Sequence, residues 1–383
     1  MLDWQTLHGE MMAWRHELHA HPEFGFEVSR TAAFVAAKLR EFGLDDVVEG
    51  VGGVGVVGTL KRGSGRRSIA LRADMDALRI AEQGTPSHRS THAGLMHACG
   101  HDGHTSMLLG GAKILTDEGG FDGSVRFIFQ PAEEWGKGAL AMLRDGLLER
   151  FPFEEIYGLH NMPGHPVGQI STRAGAIMSA EDNFEITLRG VGGHASRPHA
   201  GSETLVAGCA LVMNLQMIVS RRLDPADTAV VSVTEFVTDG TRNVLPSQTV
   251  LRGDVRSFRP EVSAEVEHQM RVIAEGIGTA HRVSVEVGYT REFVPLINDA
   301  TCADEALAVA RDVCGTEGVA VAEKPITASE DFAHFLSHVP GCFAFIGNGV
   351  DAPPLHNPSY DFDDANLLAG ARFHAAIVRR RLA

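Results

Sequence analysis

The chain has 383 residues, of which 44% are hydrophobic and 22% are charged, as in an ordinary folded protein rather than a disordered one. At roughly 150 residues per domain this length predicts two or three domains. The formal net charge of −15 argues against a nucleic-acid-binding surface, so nucleic acid is not an expected partner.

Cellular location is indicated by three features. Residues 1–22 lack the apolar core of a signal peptide. Residues 204–219 are interrupted by Asn214 and Gln216 and are too short to span a bilayer. The five cysteines are an odd number without C-x-x-C spacing, which suits a reducing compartment. We therefore expect a cytoplasmic protein with no membrane partner.

The N-terminal region begins with two predicted amphipathic helices, because apolar residues recur at helical spacing over residues 7–18 and 28–42. Residues 50–55 match the G-x-G-x-x-G dinucleotide pattern, but that fingerprint requires a helix after the glycines. Residues 54–60 instead predict a strand, and residues 68–78 its returning partner. A dinucleotide site is therefore rejected.

Three predicted strands, 68–78, 125–129 and 155–159, lead into polar residues. These residues are Asp76, with Asp74 on the same side of its strand, and Glu133, Glu134 and His160. Alternating strands and helices predict an α/β domain with a largely parallel sheet, whose functional residues gather at the carboxyl ends of its strands. We therefore expect these side chains to converge on one site, although an isolated carboxylate pair is equally typical of solvated surface.

The stretch Met96–His104 packs a thiol, three imidazoles and a carboxylate between glycines. Cys99 and His101 are two residues apart and cannot share a helix face, but a turn at Gly100 can bring both to one point. Thiolate and imidazole suit Zn²⁺ and other first-row divalent metals. Two other interpretations stay open: a buried cysteine beside solvated histidines, or a nucleophilic Cys99 paired with His101 or His104.

The pattern changes near residue 180, where strands with alternating polarity are interspersed with two helices. We expect residues 181–291 to form an inserted α+β domain with a four-stranded antiparallel sheet and two helices. Residues 1–180 and 292–383 then form one discontinuous, three-layer α/β catalytic domain with a largely parallel central sheet.

Candidate metal donors come from four separate segments. They are Cys99, His101, Glu134, His160 and His356. A closed mononuclear site needs about four ligands. Five donors with a bridging water suit two ions. The chain has no G-x-S-x-G elbow, and residues 16–19 have the wrong spacing for H-E-x-x-H.

The motifs as a set resemble a known family. They are Met96–His104, Gln130–Glu134, Gly158–Asn161, Gly192–Ser196, Ser329–Phe332 and Leu355–Asn357. Together they are similar to the amidohydrolase branch of the dinuclear metallopeptidases, which includes hippurate hydrolase, N-acyl-amino-acid amidohydrolases and auxin-conjugate hydrolases, and is related to carboxypeptidase G. The resemblance covers nearly the whole chain in matching order.

The resemblance implies a metal centre with a general base. It implies that the five donors bind two divalent ions, Mn²⁺ or Zn²⁺, with Co²⁺ and Ni²⁺ as further candidates. It also implies that Glu133 is the base and that Asp76 supports the site. Relatives of the carboxypeptidase G type have His-x-Asp where this chain has Asp74-Met75-Asp76. Asp74 is therefore in doubt as a ligand, and we expect Cys99 at a bridging position held elsewhere by Asp.

The resemblance also implies that the inserted domain, residues 181–291, serves as a dimerisation or lid domain. His194 is expected to stabilise the oxyanion in the site of a partner subunit, and Asn243 and Arg256 to contact the substrate. The protein is then expected to be a homodimer, or a homo-oligomer built from dimers.

The expected reaction is hydrolysis of the amide bond of an N-acyl amino acid by a metal-bridged hydroxide, with Glu133 taking the proton from the water. Two alternatives stay open. One is a dipeptidase or carboxypeptidase on the same scaffold, and the other is a catalytically silent, metal-dependent binding protein.

Overall fold

The computed structural model describes residues 2–383. Its helices are α1 (Trp4–Ala20), α2 (Ser29–Glu41), α3 (His101–Glu118), α4 (Gly138–Arg144), α5 (Leu147–Arg150), α6 (Thr204–Met217), α7 (Pro260–His281), α8 (Ala300–Cys314), α9 (Ala333–Leu336) and α10 (Asn366–Arg381). Its strands are β1 (Asp46–Val51), β2 (Gly55–Arg62), β3 (Ser68–Asp74), β4 (Gly123–Gln130), β5 (Glu155–Met162), β6 (Ile170–Thr172), β7 (Gly175–Met178), β8 (Ala180–Arg189), β9 (Gly193–His194), β10 (Ala229–Thr238), β11 (Val244–Leu245), β12 (Gln248–Ser257), β13 (Ser284–Phe293), β14 (Leu296–Asn298), β15 (Val319–Val321) and β16 (Gly341–Gly347).

The chain forms two compact units. The first comprises Met1–Ile177, Ile297–Lys324 and Glu330–Ala383, and the second Met178–Leu296 and Pro325–Ser329. Residues 181–291, the predicted insert, fall inside the second unit. Its role in dimerisation or as a lid stays a prediction.

The first unit is built on an eight-stranded sheet in the order β1-β2-β4-β3-β5-β16-β6-β15. The four central strands β4, β3, β5 and β16 run parallel, and β2 and β6 flank them antiparallel. Strands β5 and β16 are buried almost throughout, as expected for parallel strands covered on both faces. The predicted α/β fold with a largely parallel sheet is confirmed.

The glycine-rich segment lies between β1 and β2, which pair antiparallel, so no helix follows the glycines. The expectation that residues 68–78 return beside residues 54–60 is wrong, because β4 lies between β2 and β3 and pairs with both. Helix α3 connects β3 to its parallel neighbour β4 in a β-α-β crossover, and this connection places β4 in that position.

The core of the first unit joins the sheet to helices α1, α2, α3, α8 and α10. Helix α3 carries the predicted donor His101 at its first position, and nearly every residue along it is buried. Gly100 precedes it with a φ of 87°, a left-handed conformation that favours glycine. The turn at Gly100 therefore places Cys99 just outside the helix and His101 just inside it.

The second unit contains a four-stranded antiparallel sheet in the order β10-β12-β8-β13. Apolar residues of α6 and α7 pack with the sheet in one core, as predicted. The expectation that residues 204–219 are too short to cross a membrane is wrong on length. A π-helical turn extends the helix to Arg222, and length and composition alone would allow a span. Because Ala207, Leu211 and Leu215 lie in the core of the unit, the apolar composition has a packing explanation.

Candidate metal centre

The site is assembled at the carboxyl ends of the central strands of the first unit. Asp74 ends β3 and pairs in register with Gln130, which ends β4. Glu133 and Glu134 follow β4 directly, and His160 lies near the end of β5. Since carboxyl ends of parallel strands meet at one edge of a sheet, adjacent strands deliver these groups to the same place.

The five predicted donors form two groups that share Cys99. The donor atoms of Cys99, His101 and His160 lie within 4.8 Å of one another, and so do those of Cys99, Glu134 and His356. Cys99 Sγ is 3.4 Å from His160 Nε2, and Glu134 Oε1 is 3.4 Å from His356 Nε2. A donor common to two groups is the arrangement expected of a ligand that bridges two ions.

The ring orientation of two histidines suits metal binding. His160 Nδ1 is 2.5 Å from the backbone carbonyl of Asn161, to which it donates, so Nε2 carries the free lone pair beside Cys99. His101 Nδ1 faces Asp76 Oδ1 at 3.6 Å, and its Nε2 faces Glu134 Oε1 at 3.9 Å. A ligating imidazole with a carboxylate behind its other nitrogen is a recurrent feature of metal sites.

Buried polar atoms test whether the residues fit a metal ion. Neither ring nitrogen of His101 has a hydrogen-bond partner among residues 2–383, and neither has Glu134 Oε1. Buried polar atoms normally have partners, and a divalent cation would supply one for His101 Nε2 and for Glu134 Oε1. His356 is the exposed residue among the five donors, with 53% of its side chain accessible to solvent. A small molecule can therefore approach the donors from the side of His356. The donor set therefore fits two divalent cations.

Asp76 fixes the turn that carries both glutamates. Its two carboxylate oxygens accept the backbone N–H groups of Glu133 at 3.0 Å and Glu134 at 3.3 Å. Burial and the neighbouring Glu330 carboxylate raise the pKa of Glu133 well above its usual range. For Glu134, burial is outweighed by the neighbouring His356 and His101 imidazoles, which lower the pKa. The two neighbours in sequence are thus electrostatically distinct, one suited to hold a proton and the other to act as an anionic ligand.

A buried ionic network behind the site was not predicted from the sequence. Arg72 is 2% exposed and donates to Asp74 at 2.8 Å, Gln130 at 2.9 Å, Glu330 at 2.9 Å and Asp331 at 3.1 Å. Alternation along β3 places Arg72 on the same side as Asp74, and this was the available signal. The carboxylates outnumber the single guanidinium, and Glu330, Asp331 and Asp74 all contribute to the raised pKa of Glu133.

Both carboxylate oxygens of Asp74 are engaged by other side chains, and Oδ2 also lies 3.8 Å from His101 Nε2. Its Oδ2 accepts from Arg72, and its Oδ1 accepts from His104 Nδ1 at 2.7 Å. Burial opposes the charge of Asp74, but the neighbouring His101, His104 and Arg72 side chains outweigh burial and hold the pKa of Asp74 well below its usual range. Asp74 is therefore a buried anion that orients its neighbours.

The environment of Cys99 opposes its use as a free nucleophile. Burial and the nearby Glu134 and Glu133 carboxylates raise the pKa of the thiol well above its ordinary value. Reactive cysteines need the opposite surroundings, which stabilise the thiolate. A cation coordinated by the sulfur would remove the thiol proton, so this environment favours a ligand role.

The remaining predicted residues lie in the second unit. Strand β9, which ends at His194, pairs with β11, and the Asn243 carbonyl accepts the N–H of Ala195 at 3.0 Å. His194 Nδ1 accepts the backbone N–H of Ser196 at 3.1 Å, so a neutral His194 carries its proton on the exposed Nε2. Arg256 on β12 instead pairs with Glu181 at 2.8 Å and Asp254 at 2.9 Å.

Comparison with known proteins gives a consistent result. Residues 70–380 match the profile of Peptidase family M20/M25/M40. The chain is 38% identical to hippurate hydrolase of Campylobacter jejuni over 376 residues, which cover 98% of this chain and 97% of that protein. It is 32% identical to thermostable carboxypeptidase 2 of Saccharolobus solfataricus over 372 residues, covering 95% and 93% of the two chains. The crystal structure of Bacillus subtilis YXEP, a dinuclear metal binding peptidase, superposes with a TM-score of 0.88 at 30% identity, covering 99% of both chains.

Proposed function

The chain belongs to the M20/M25/M40 peptidase family of metal-dependent hydrolases, and we propose that it cleaves the amide bond of N-acyl amino acids, releasing a carboxylic acid and a free amino acid. The observation that carries this proposal is the pair of donor groups sharing Cys99, with Glu133 beside them. A binding module would need the ligands but not the base.

We assign Cys99, His101, Glu134, His160 and His356 as the residues that hold two divalent cations, with Mn²⁺ or Zn²⁺ as the native ions and Co²⁺ or Ni²⁺ as substitutes. When bound, the cations would lower the pKa of a water molecule and polarise the acyl carbonyl. Asp76 supports this arrangement by holding the Glu133-Glu134 turn and facing His101.

Glu133 acts as the general base and then the general acid. Its raised pKa favours a group that takes a proton from the attacking water and returns it to the leaving amine. Its Oε2 lies 3.9 Å from His101 Nε2, so its carboxylate adjoins the ligand set.

His194 is proposed to donate to the developing oxyanion in the site of a second copy of the chain. Its Nδ1 is occupied by Ser196, which leaves an exposed Nε2–H of the correct polarity for this task. Asn243 is the proposed substrate contact, because β11 begins with the next residue and pairs with the strand of His194. Arg256 stays the candidate for the substrate carboxylate, although two carboxylates already pair with it.

The proposed assembly is a homodimer in the cytoplasm. Helix α6 exposes Leu205, Val206 and Met213, the last to 71%, and the edge strand β10 exposes Phe236 and Val237. Clusters of exposed apolar side chains beside a free sheet edge are typical of protein interfaces. The proposed occupant of this surface is the same surface of a second copy.

A carboxypeptidase is the second candidate, favoured by the 32% identity to a carboxypeptidase over nearly the whole chain. Free dipeptides and blocked peptides distinguish it from an N-acyl-amino-acid hydrolase.

The test is hydrolysis of N-acetyl, N-benzoyl and N-indoleacetyl amino acids beside free dipeptides, with metal content measured before and after chelation. We expect hydrolysis of acyl amino acids that disappears with the chelator and returns with Mn²⁺, Zn²⁺ or Co²⁺. Activity that survives complete removal of metal would refute the metal mechanism. A fully metal-loaded protein without turnover on any of these compounds would favour the binding-protein alternative.

A further inference from the structure

Asn161 is a fully buried residue whose side-chain amide lies beside the proposed metal centre. Its Nδ2 donates to the backbone carbonyl of Cys99 at 2.6 Å, and its Oδ1 accepts the hydroxyl of Tyr360 at 2.6 Å. Its backbone N–H donates to His104 Nε2 at 2.9 Å. The amide thus uses both its donor and its acceptor side in a site closed to solvent.

These contacts join three of the segments that carry the proposed ligands. Asn161 follows His160 on β5, and its amide reaches the peptide of Cys99, 62 residues away. Tyr360 lies four residues after His356 in the C-terminal segment, and the N–H of His356 donates to the carbonyl of Ala98 at 2.8 Å. The amide therefore ties β5 to the Cys99 loop and to the segment of His356.

Gly100 is adapted to this contact. A Cβ atom at residue 100 would collide with Asn161 Nδ2 and with the hydroxyl of Tyr360. The absence of a side chain allows the amide to approach the loop closely, in addition to allowing the positive φ. The close approach of the Cys99-Gly100 backbone to Asn161 is therefore a built feature of this loop.

We propose that Asn161 is a positioning residue that sets the separation between the Cys99 thiolate and His160. This inference rests on the proposed metal centre. Because His160 Nδ1 donates to the carbonyl of Asn161 itself, the same residue orients the imidazole through its backbone and the thiolate through its side chain. Groups that hold metal ligands in place commonly contribute about 10–100-fold to metal affinity.

The test compares Asn161→Asp with Asn298→Asp, a matched control. Asn298 is also buried, with its amide donating to Thr172 and Phe343 and its oxygen accepting from Phe343, and it contacts none of the proposed ligands. Asp keeps the shape of Asn and, in its ionised form, has no proton to donate to the Cys99 carbonyl. The measurements are Co²⁺ affinity by competition with a chelator, thermal stability, and the thiolate-to-cobalt charge-transfer absorption.

We expect Asn161→Asp to bind Co²⁺ about tenfold or more weakly and to shift or lose the charge-transfer band. Asn298→Asp should lower thermal stability while leaving affinity and band unchanged. Wild-type affinity and band in Asn161→Asp would overturn the proposal. If that variant does not fold, the same measurements on Tyr360→Phe test the proposal. This substitution removes only the hydroxyl that donates to Asn161 Oδ1 and orients the Asn161 amide. A weaker affinity with an altered band would support the proposal, and wild-type values would overturn it.

The result that would refute the proposed function differs from the result that would refute the role of Asn161. A wild-type protein that binds two Co²⁺ ions but hydrolyses no amide would refute the function and leave the role of Asn161 standing. Unchanged cobalt binding in an active Asn161→Asp variant would refute the role of Asn161 and leave the proposed function standing.

Discussion

One carboxylate oxygen of Asp76 accepts the backbone N–H of Glu133 at 3.0 Å. The other oxygen accepts the N–H of Glu134, so one buried side chain holds the peptide of both glutamates. The backbone of the turn is therefore fixed independently of what the side chain of Glu133 does. This allows Glu133, the proposed base, to be changed without displacing Glu134, the proposed ligand.

Replacing Glu133 with Gln should reduce kcat by about 10²–10⁴-fold, because the amide cannot accept the proton of the attacking water. Metal content should be unchanged, since the Asp76 hydrogen bonds still hold the turn. The comparison is Glu134→Gln, which removes a ligand and should lower metal content as well as kcat. Near-normal turnover of metal-loaded Glu133→Gln would show that another group is the base.

Replacing Cys99 with Asp separates a ligand from a nucleophile. A carboxylate is a harder anionic ligand than a thiolate, so we expect the variant to retain activity and to favour Mn²⁺ over Zn²⁺ more strongly than the wild type. Activity after reconstitution with each ion is the measurement. Cys99→Ala, which provides no ligand, should lose both metal and activity. If activity is abolished in Cys99→Asp despite full metal loading, the nucleophile interpretation regains support.

His19 should make stability depend on pH. It is buried, 2.8 Å from Asp102 and 3.4 Å from Glu82, with Arg15 nearby. Burial opposes its charge, but the Asp102 and Glu82 carboxylates outweigh burial and raise its pKa to about 9. Its stabilising contribution is therefore complete below about pH 6.5 and is lost as the pH rises through 9, up to about 3 kcal/mol in all.

Urea denaturation from pH 6 to pH 10 measures that contribution. His19→Gln should lose most of the pH dependence in this window at the same metal loading. A variant with the wild-type slope would assign the dependence to other groups.

Replacing Met213 with Lys should weaken dimerisation. A charge at this exposed position of α6 would be buried and unpaired in the proposed interface, so we expect the dimer Kd to rise at least about tenfold. Sedimentation over a range of concentrations measures it. Val272→Lys makes the same kind of change at an exposed position of α7 and should leave the dimer intact. A monomeric wild-type protein would contradict the proposed assembly.

Much of the site could be predicted because its residues follow recognisable strands. Glu133, Glu134 and His160 each come at the end of an apolar segment, and geometry brings such ends together. The ionic network behind them could not be found in this way. Arg72 is paired with Glu330, 258 residues away, and no local pattern indicates which distant carboxylate a buried arginine will meet.

The sequence by itself determined the two kinds of sheet, the position of most helices and the five candidate donors, because periodic burial and strand-end chemistry are local properties. Only the tertiary structure decided that β4 lies between β2 and β3, that Asp74 pairs with Arg72 and His104, and that Asn161 reaches Cys99 and Tyr360. These contacts depend on how distant segments close around one another. A polar residue at a strand end looks the same in sequence whether it faces water, a metal ion or another buried amide.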